Sequence, residues 1–150
     1  MLEELETLPI GLQVTHTPTQ VGGPTGPNHD PTAWKYKWVF KTEVAALDRP
    51  ITIEQFGILA WDGKCWILPP NQRRYNCGIL DQGTFAEWYS CPDGEIAPGT
   101  AAVDPQNWAG SDELADFQQK WFFVGVDSSG KKYKGEAIVR FAADNNDSEK

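Results

Sequence analysis

The side chains most able to contact a ligand are aromatic and lie in the middle of the chain. Trp88 and Tyr89 follow a polar stretch, and Trp108 lies in a segment rich in proline and glycine. Flat rings cover the face of a sugar or a base at little entropic cost, so these three residues are candidate ligand-binding residues. Packing on the core is the competing interpretation, because aromatic side chains fill interiors as readily as they bind ligands.

Two adjacent arginines, Arg73 and Arg74, are a second kind of candidate. A guanidinium group can hold a phosphate or a carboxylate through two parallel hydrogen bonds. Both arginines lie in the polar stretch NQRRYNCG, which reads as a loop between Pro70 and the next apolar residues. A solvated pair on a loop is the alternative interpretation.

Sequence motifs for catalysis, phosphate binding and metal binding are missing. The chain contains no glycine-rich phosphate loop, HExxH, GxSxG or metal-spaced His/Cys cluster. His16 and His29 both lie in the first 33 residues, where we expect no rigid shell to orient them. The sequence therefore predicts a non-catalytic protein that needs no cofactor or metal. A hydrolase with a carboxylate pair is a third alternative, because many acids lie in the central block: Glu43, Glu54, Asp62, Asp81, Glu87, Asp93, Asp104 and Glu136.

The three cysteines, Cys65, Cys77 and Cys91, form no CxxC pair. We expect Cys65 to be a small core residue of a strand. Cys77 and Cys91 flank a loop and helix, and they could form a disulfide in an oxidising compartment.

Alternating side chains predict the strands that must carry these candidates. From Trp34 to Val44, aromatic and apolar residues share one parity and lysines the other, the pattern of a half-buried strand. A second strand follows from Ile51, with a shift of parity near Gln55 that indicates a bulge. Asp62-Gly63 predicts a hairpin turn. The run WFFVGV predicts a central strand, and residues 131–141 alternate again as its returning partner.

Capping signals predict two helices. Thr84 and Glu87 match a capping box and predict a short helix over Phe85–Ser90. Ser111 before two acids predicts a second helix start. Between them, residues 91–110 contain several prolines and glycines, and we expect a long irregular connection.

These elements predict a mainly β fold, an antiparallel β-sandwich of the immunoglobulin-like or a related kind, with one or two short helices in a long mid-chain insertion. The expected division is a flexible arm rich in Pro, Gly and Thr at 1–33, one domain at 34–141 and a disordered acidic tail at 142–150.

Charge and composition restrict the classes of partner that the sequence favours. The net charge is −8, and most of it belongs to the two ends, so nucleic-acid binding is disfavoured. No apolar run could span a bilayer and no secretory signal begins the chain, which favours a cytoplasmic protein. Seven tryptophans make the chain tryptophan-rich. We expect an interaction module that binds a protein, or a second copy of itself, through a sheet face or edge. A carbohydrate-binding module that uses the loop aromatics is the alternative.

Overall fold

The computed structural model describes residues 2–68 and 79–143, and the described chain is mainly β. The helical pieces are α1 (Leu2–Thr7), α2 (Gln82–Trp88) and a 3₁₀ turn at Pro92–Gly94. The strands in chain order are β1 (Leu12–Thr17), β2 (Gln20–Val21), β3 (Tyr36–Ala46), β4 (Ile51–Trp61), β5 (Trp66–Ile67), β6 (Ile79–Asp81), β7 (Glu95–Ile96), β8 (Ala101–Ser111), β9 (Phe117–Val126) and β10 (Lys132–Phe141).

The strands form two sheets. Sheet A has the order β2-β10-β9-β4, and the far edge of β4 pairs with three short strands, β5, β6 and β7. Sheet B has the order β1-β3-β8, with antiparallel neighbours throughout. Sheet B curls like half of a barrel, so the mainly β prediction is confirmed while the finer prediction, an immunoglobulin-like sandwich, is not.

The main core lies between the two sheets. Sheet B contributes Trp38, Phe40 and Val44, which alternate along β3 with exposed or half-buried residues. Phe40 meets Trp121 of β9 edge to face, with the ring centroids 6.2 Å apart. The Nε1–H of Trp38 donates a hydrogen bond to the Ala142 carbonyl at 2.8 Å, so this buried indole also satisfies its polar atom. The predicted alternation of β3 is therefore confirmed for residues 38–44.

A second, smaller core covers the outer face of sheet A, the face turned away from sheet B. Phe122 and Val124 of β9 point to this side and are buried. Leu5 of α1 and Leu59 of β4 complete the buried cluster. Because β9 is buried on both faces, its sequence is a continuous apolar run, which confirms the predicted central strand.

The described structure corrects the flexible arm expected at residues 1–33. Residues 12–17 form β1, which pairs with β3 over its whole length, and Leu12 and His16 are buried. Residues 20–21 pair with the end of β10. Pro9 precedes β1 and the next proline, Pro18, directly follows it, so no proline interrupts the ladder of this strand.

The expected irregular connection at residues 91–110 is also wrong for its second half, which forms β8. Pro105 is tolerated because β8 is an edge strand and carries a bulge there: Phe40 pairs with Asn107 and Thr42 pairs with Asp104, so Pro105 and Gln106 lie opposite one residue. β8 runs to Ser111, which replaces the predicted second helix start with strand.

The start of α2 and the hairpin after β4 differ in detail from the predictions, whereas the predicted bulge in β4 is present. α2 begins earlier than predicted, because Asp81 accepts hydrogen bonds from the Thr84 backbone N–H and hydroxyl and acts as the N-cap. The hairpin after β4 is present, but its loop spans residues 62–65 and leaves Cys65 exposed. The bulge predicted near Gln55 is confirmed as a register shift between Ile53 and Gln55.

Candidate functional site

The outer face of sheet B is more exposed than the outer face of sheet A, which the second core covers. The alternation along β3 that buries Trp38 and Phe40 turns Lys37, Val39 and Lys41 to the other side. The Val39 side chain is 48% exposed. Of the five large apolar side chains that the described structure leaves exposed, Val39 is the one in the middle of a strand.

β8 supplies the aromatic part of this face. Asn107 and Ala109 point into the core, so the residues between and after them, Trp108 and Gly110, point outward. Trp108 pairs across the strands with Val39, and Gly110 pairs with Lys37. Cross-strand partners on one face lie about 5 Å apart, so these four residues form one continuous patch.

Trp34 lies on the same patch. A methyl group built on Gly110 would come within 2.3 Å of the Trp34 ring, so only a glycine at this position lets the indole lie against the strand. The parity of β3 had placed Trp34 with the core residues, but β3 begins at Tyr36 and the chain turns before it. Trp34 is half-buried on the outer side.

The patch ends in a groove of about 470 Å³, named here the Trp108 groove. Its walls are the segment from Thr25 to Asn28, the segment from Ala33 to Lys35, and the side chains of Lys37 and Trp108. The Thr25 N–H donates to the Lys37 carbonyl at 2.9 Å and the Asn28 N–H donates to the Lys35 carbonyl at 2.8 Å. These backbone hydrogen bonds hold one wall of the groove against the start of β3.

Lysines give the Trp108 groove its charge. The Lys37 ammonium lies over the Trp108 ring, 5.1 Å from the ring centroid, which is a cation–π contact. Lys35 lines the same groove, and none of the lining residues is acidic. Within residues 2–68 and 79–143, neither lysine forms a salt bridge. A positively charged, aromatic groove thus lies on a chain whose net charge is −8.

The other predicted ligand residues lie elsewhere. Tyr89 is 1% exposed and packs on Phe85 with ring centroids 4.6 Å apart. Trp88 is half-buried and meets Phe56 edge to face. Neither residue shares a surface with Trp108, because α2 packs on the core side while Trp108 faces outward. Arg73, Arg74 and Cys77 lie outside the described residues, so the arginine pair and the disulfide from Cys77 to the buried Cys91 stay predictions.

A buried chain of hydrogen-bonded polar side chains, which no sequence motif indicates, links the two sheets. The Thr42 hydroxyl lies 2.9 Å from His16 Nδ1 and accepts a hydrogen bond from Asn107 Nδ2 at 2.9 Å. His16 Nε2 lies 3.3 Å from the Ala137 carbonyl of sheet A. A neutral imidazole with its proton on Nε2 satisfies all three contacts, since Thr42 then donates to Nδ1.

Burial shifts the pKa values of the ionisable groups in and beside these hydrogen-bonded side chains. It lowers the pKa of His16 to about 4, with the Ala137 carbonyl opposing the shift. The Tyr89 hydroxyl is also buried, beside Thr42 but without the geometry of a hydrogen bond, and burial together with Asp104 raises its pKa well above the usual value. Burial likewise raises the pKa of the Asp104 carboxyl. Because His16 is 2% exposed, its imidazole is placed to join the sheets and not to meet a substrate.

Three of the acids considered for a hydrolase accept hydrogen bonds from backbone N–H groups at separate places in the structure. Asp62 accepts from the Lys64 and Cys65 N–H groups in one hairpin, and Asp81 caps α2. Asp104 accepts from the Gln106 N–H at the β8 bulge. In the described part of the chain, no group of three His, Cys, Asp or Glu side chains could hold a metal ion.

A second hollow of about 370 Å³ lies between Trp61 and Arg140. Its lining includes Asp116 as well as Arg140, so its charge is balanced. The Asp116 carboxylate also accepts a hydrogen bond from the Ala143 N–H at 2.7 Å. The Trp108 groove is the stronger candidate because its lining combines two lysines with two tryptophans.

Comparison with known proteins bears on the fold alone. No family model matches the chain, and no curated protein sequence matches it. The chain is similar in structure to a crystal structure of a Bordetella pertussis protein that carries the provisional name ApaA. The TM-score is 0.52, the sequence identity is 14%, and the match covers 88% of this chain and 94% of that one. No helix in the described segments has the length and apolar character needed to cross a membrane.

Proposed function

We propose that the protein is a non-catalytic interaction module that binds a protein partner through the outer face of sheet B. The observation that carries this proposal is the continuous patch formed by Val39, Trp108, Lys37 and Trp34, in which the Val39 side chain is 48% exposed. Exposed apolar side chains framed by polar groups are typical of protein-binding surfaces. Tryptophan is also enriched among the residues that dominate binding energy.

The face suits a partner better than the edge of β8. An added strand needs a row of free backbone N–H and C=O groups. Pro105 has no N–H, the Gln106 N–H donates to Asp104, and the Trp108 N–H donates to the Asn107 side chain at 2.9 Å. Half of β8 is therefore poorly suited to pair with an extended peptide.

An experiment on two exposed apolar residues tests the proposal. Val39→Asp places a charge in the centre of the patch, and Leu47→Asp makes the same change at the hairpin between β3 and β4, where Leu47 is 50% exposed. Immobilised wild-type protein and the Leu47→Asp variant are expected to retain the same partner from an extract of the native source, and Val39→Asp to lose it. Retention by all three proteins, or by none, would contradict the proposal. Sedimentation at several concentrations distinguishes a second copy of the chain from another protein.

A carbohydrate-binding module is the second candidate. It is favoured by one observation, the presence of two tryptophan rings, Trp34 and Trp108, in the lining of a single groove. Binding on a glycan array, together with a shift of tryptophan fluorescence that Trp108→Ala abolishes, would support it.

We also propose that the two sheets form a sandwich related to the immunoglobulin class. The main core supports this, because buried residues of β3 and β9 pack face to face between the sheets. The angle between the sheets in an experimental structure tests it, since aligned sandwich sheets cross at about 30°.

A further inference from the structure

The chemistry of the Trp108 groove specifies what kind of partner the outer face of sheet B recognises. We propose that the groove binds an acidic peptide segment, with side-chain carboxylates of that segment on Lys35 and Lys37. This inference rests on the proposed function and deepens it. It names the class of segment that a protein partner would present.

Charge complementarity is the first argument. The groove lining contains two lysines and no acid, although acids outnumber bases in the chain by 21 to 13. A local positive site on an acidic protein selects an anion and repels a cation, and it also directs the approach of the partner. The lysines lie beside an apolar residue, Val39, so a segment with both acidic and apolar side chains fits the whole patch.

The arrangement of the rings is the second argument. The Lys37 ammonium lies over Trp108, so a sugar that stacked on that face would displace it. The contact instead holds a flexible lysine in place, which lowers the entropic cost of binding a carboxylate there. Trp34 packs closely against Gly110, the cross-strand partner of Lys37, and forms the wall next to that lysine.

Two acids in the neighbourhood of Lys35 lie outside the lining of the groove. Asp30 and Asp112 line an adjoining hollow together with Lys35. The Asp112 carboxylate accepts from the Lys35 backbone N–H at 3.1 Å, and Asp30 accepts from the Thr32 N–H at 2.9 Å. Both acids share this hollow with Lys35 and not with Lys37, so we expect Lys37 to carry the larger part of the attraction.

A nucleic acid or a sulfated glycan is a poorer fit. Binding to a polyanion relies on several cations in a row. Along the outer face of β3 the row is interrupted, because Lys41 forms an ion pair with Glu43, with Nζ and Oε1 3.5 Å apart. Two lysines suit a short segment with one or two carboxylates.

Fluorescence anisotropy with a labelled hexaglutamate peptide tests the inference. Hexaglutamine is the neutral control, and the buffer contains about 0.05 M salt so that surface charges are weakly screened. Wild-type protein is expected to bind hexaglutamate and not hexaglutamine. Lys35→Gln/Lys37→Gln is expected to weaken binding about tenfold, and Lys37→Gln alone about threefold, in line with surface charge pairs.

Two further variants separate charge from shape. Lys64→Gln removes an exposed lysine from the hairpin after β4 and is expected to leave hexaglutamate affinity unchanged. Gly110→Ala keeps both groove lysines but pushes Trp34 away, and it is expected to weaken binding at least about twofold. Circular dichroism melts confirm that each variant is folded.

The outcomes distinguish this inference from the proposed function. Absence of hexaglutamate binding, equal binding of hexaglutamine, or unchanged affinity in the double variant would overturn the acidic specificity. Tighter binding of a heparin oligosaccharide or an oligo-dT strand through the same two lysines would overturn the peptide class. Loss of partner retention in Val39→Asp would leave the proposed function standing in each of these cases.

Discussion

The outer faces of the two sheets differ in burial. On sheet A, Phe122 and Val124 are covered by Leu5 of α1, and the covering helix is tied to β10 by an ion pair between Glu4 and Lys132 at 3.3 Å. On sheet B, Val39 and Trp108 face outward; the Val39 side chain is 48% exposed and Trp108 is half-buried. The chain thus uses its own N-terminal segment to bury one apolar face and leaves the other presented. That difference is the physical basis for our proposal that the outer face of sheet B binds the partner.

Truncation of one side chain on each outer face is expected to give the largest difference in the free energy of unfolding. Phe122 is fully buried, so Phe122→Ala is expected to lower the free energy of unfolding by about 3–5 kcal/mol. Val39→Ala is expected to change it by less than about 0.5 kcal/mol, because the side chain is already half in water. Denaturant titration of both variants measures the contrast. Equal losses would mean that the outer face of sheet B is covered in solution.

Lowering the pH is expected to destabilise the folded protein, by a smaller amount than Phe122→Ala does. The pKa of His16 is about 4 in the folded protein and near 6.5 when unfolded, so the unfolded state binds the extra proton between these values. Stability is therefore complete above pH 6.5 and falls by up to about 3 kcal/mol as the pH drops towards 4. Denaturant titrations from pH 7.5 to 4 measure this loss.

Replacement of the imidazole isolates its share of the acid response. His16→Gln keeps a side chain that can hydrogen-bond but cannot titrate, and it is expected to flatten the stability profile between pH 6.5 and 4. His29→Gln serves as the matched control, because His29 is exposed. A profile unchanged by His16→Gln would show that other groups cause the acid sensitivity.

Truncation of Trp108 is expected to have a small effect on stability and a large one on binding. Trp108→Ala removes a half-buried ring that is outside the main core, so we expect a stability loss of about 1 kcal/mol or less. Partner retention is expected to fall at least tenfold, as for an aromatic residue at the centre of an interface. Thermal melts and retention assays on the same preparation measure both quantities. A large stability loss would identify Trp108 as a packing residue.

The sequence predicted the central strands and missed the edges. β3, β9 and β10 were predicted because their side chains alternate or run apolar without interruption. β1 and β8 were missed because the composition around them is rich in Pro and Gly, yet an edge strand tolerates a proline at a bulge or just beyond its end.

Of the residues that form the candidate site, the sequence indicated one, Trp108, as a ligand-binding residue. Trp34 was assigned to the core because parity alone cannot show that β3 begins two residues later. The lysines of β3 were predicted only as the opposite side of a half-buried strand, and it takes the cross-strand register and the cation–π contact to show that Lys37 reaches Trp108. His16 carried no local signal, because its partners Thr42, Asn107 and Ala137 come from three distant strands.

Hydroxyl-radical footprinting, read out residue by residue by mass spectrometry, tests the central claim most directly. Val39 and Trp108 report on the outer face of sheet B, and Trp61, which is 41% exposed at the end of β4, is the reference. We expect the retained partner to lower the oxidation rates of Val39 and Trp108 several-fold while that of Trp61 stays constant. Unchanged rates at Val39 and Trp108 in the presence of bound partner would contradict the account.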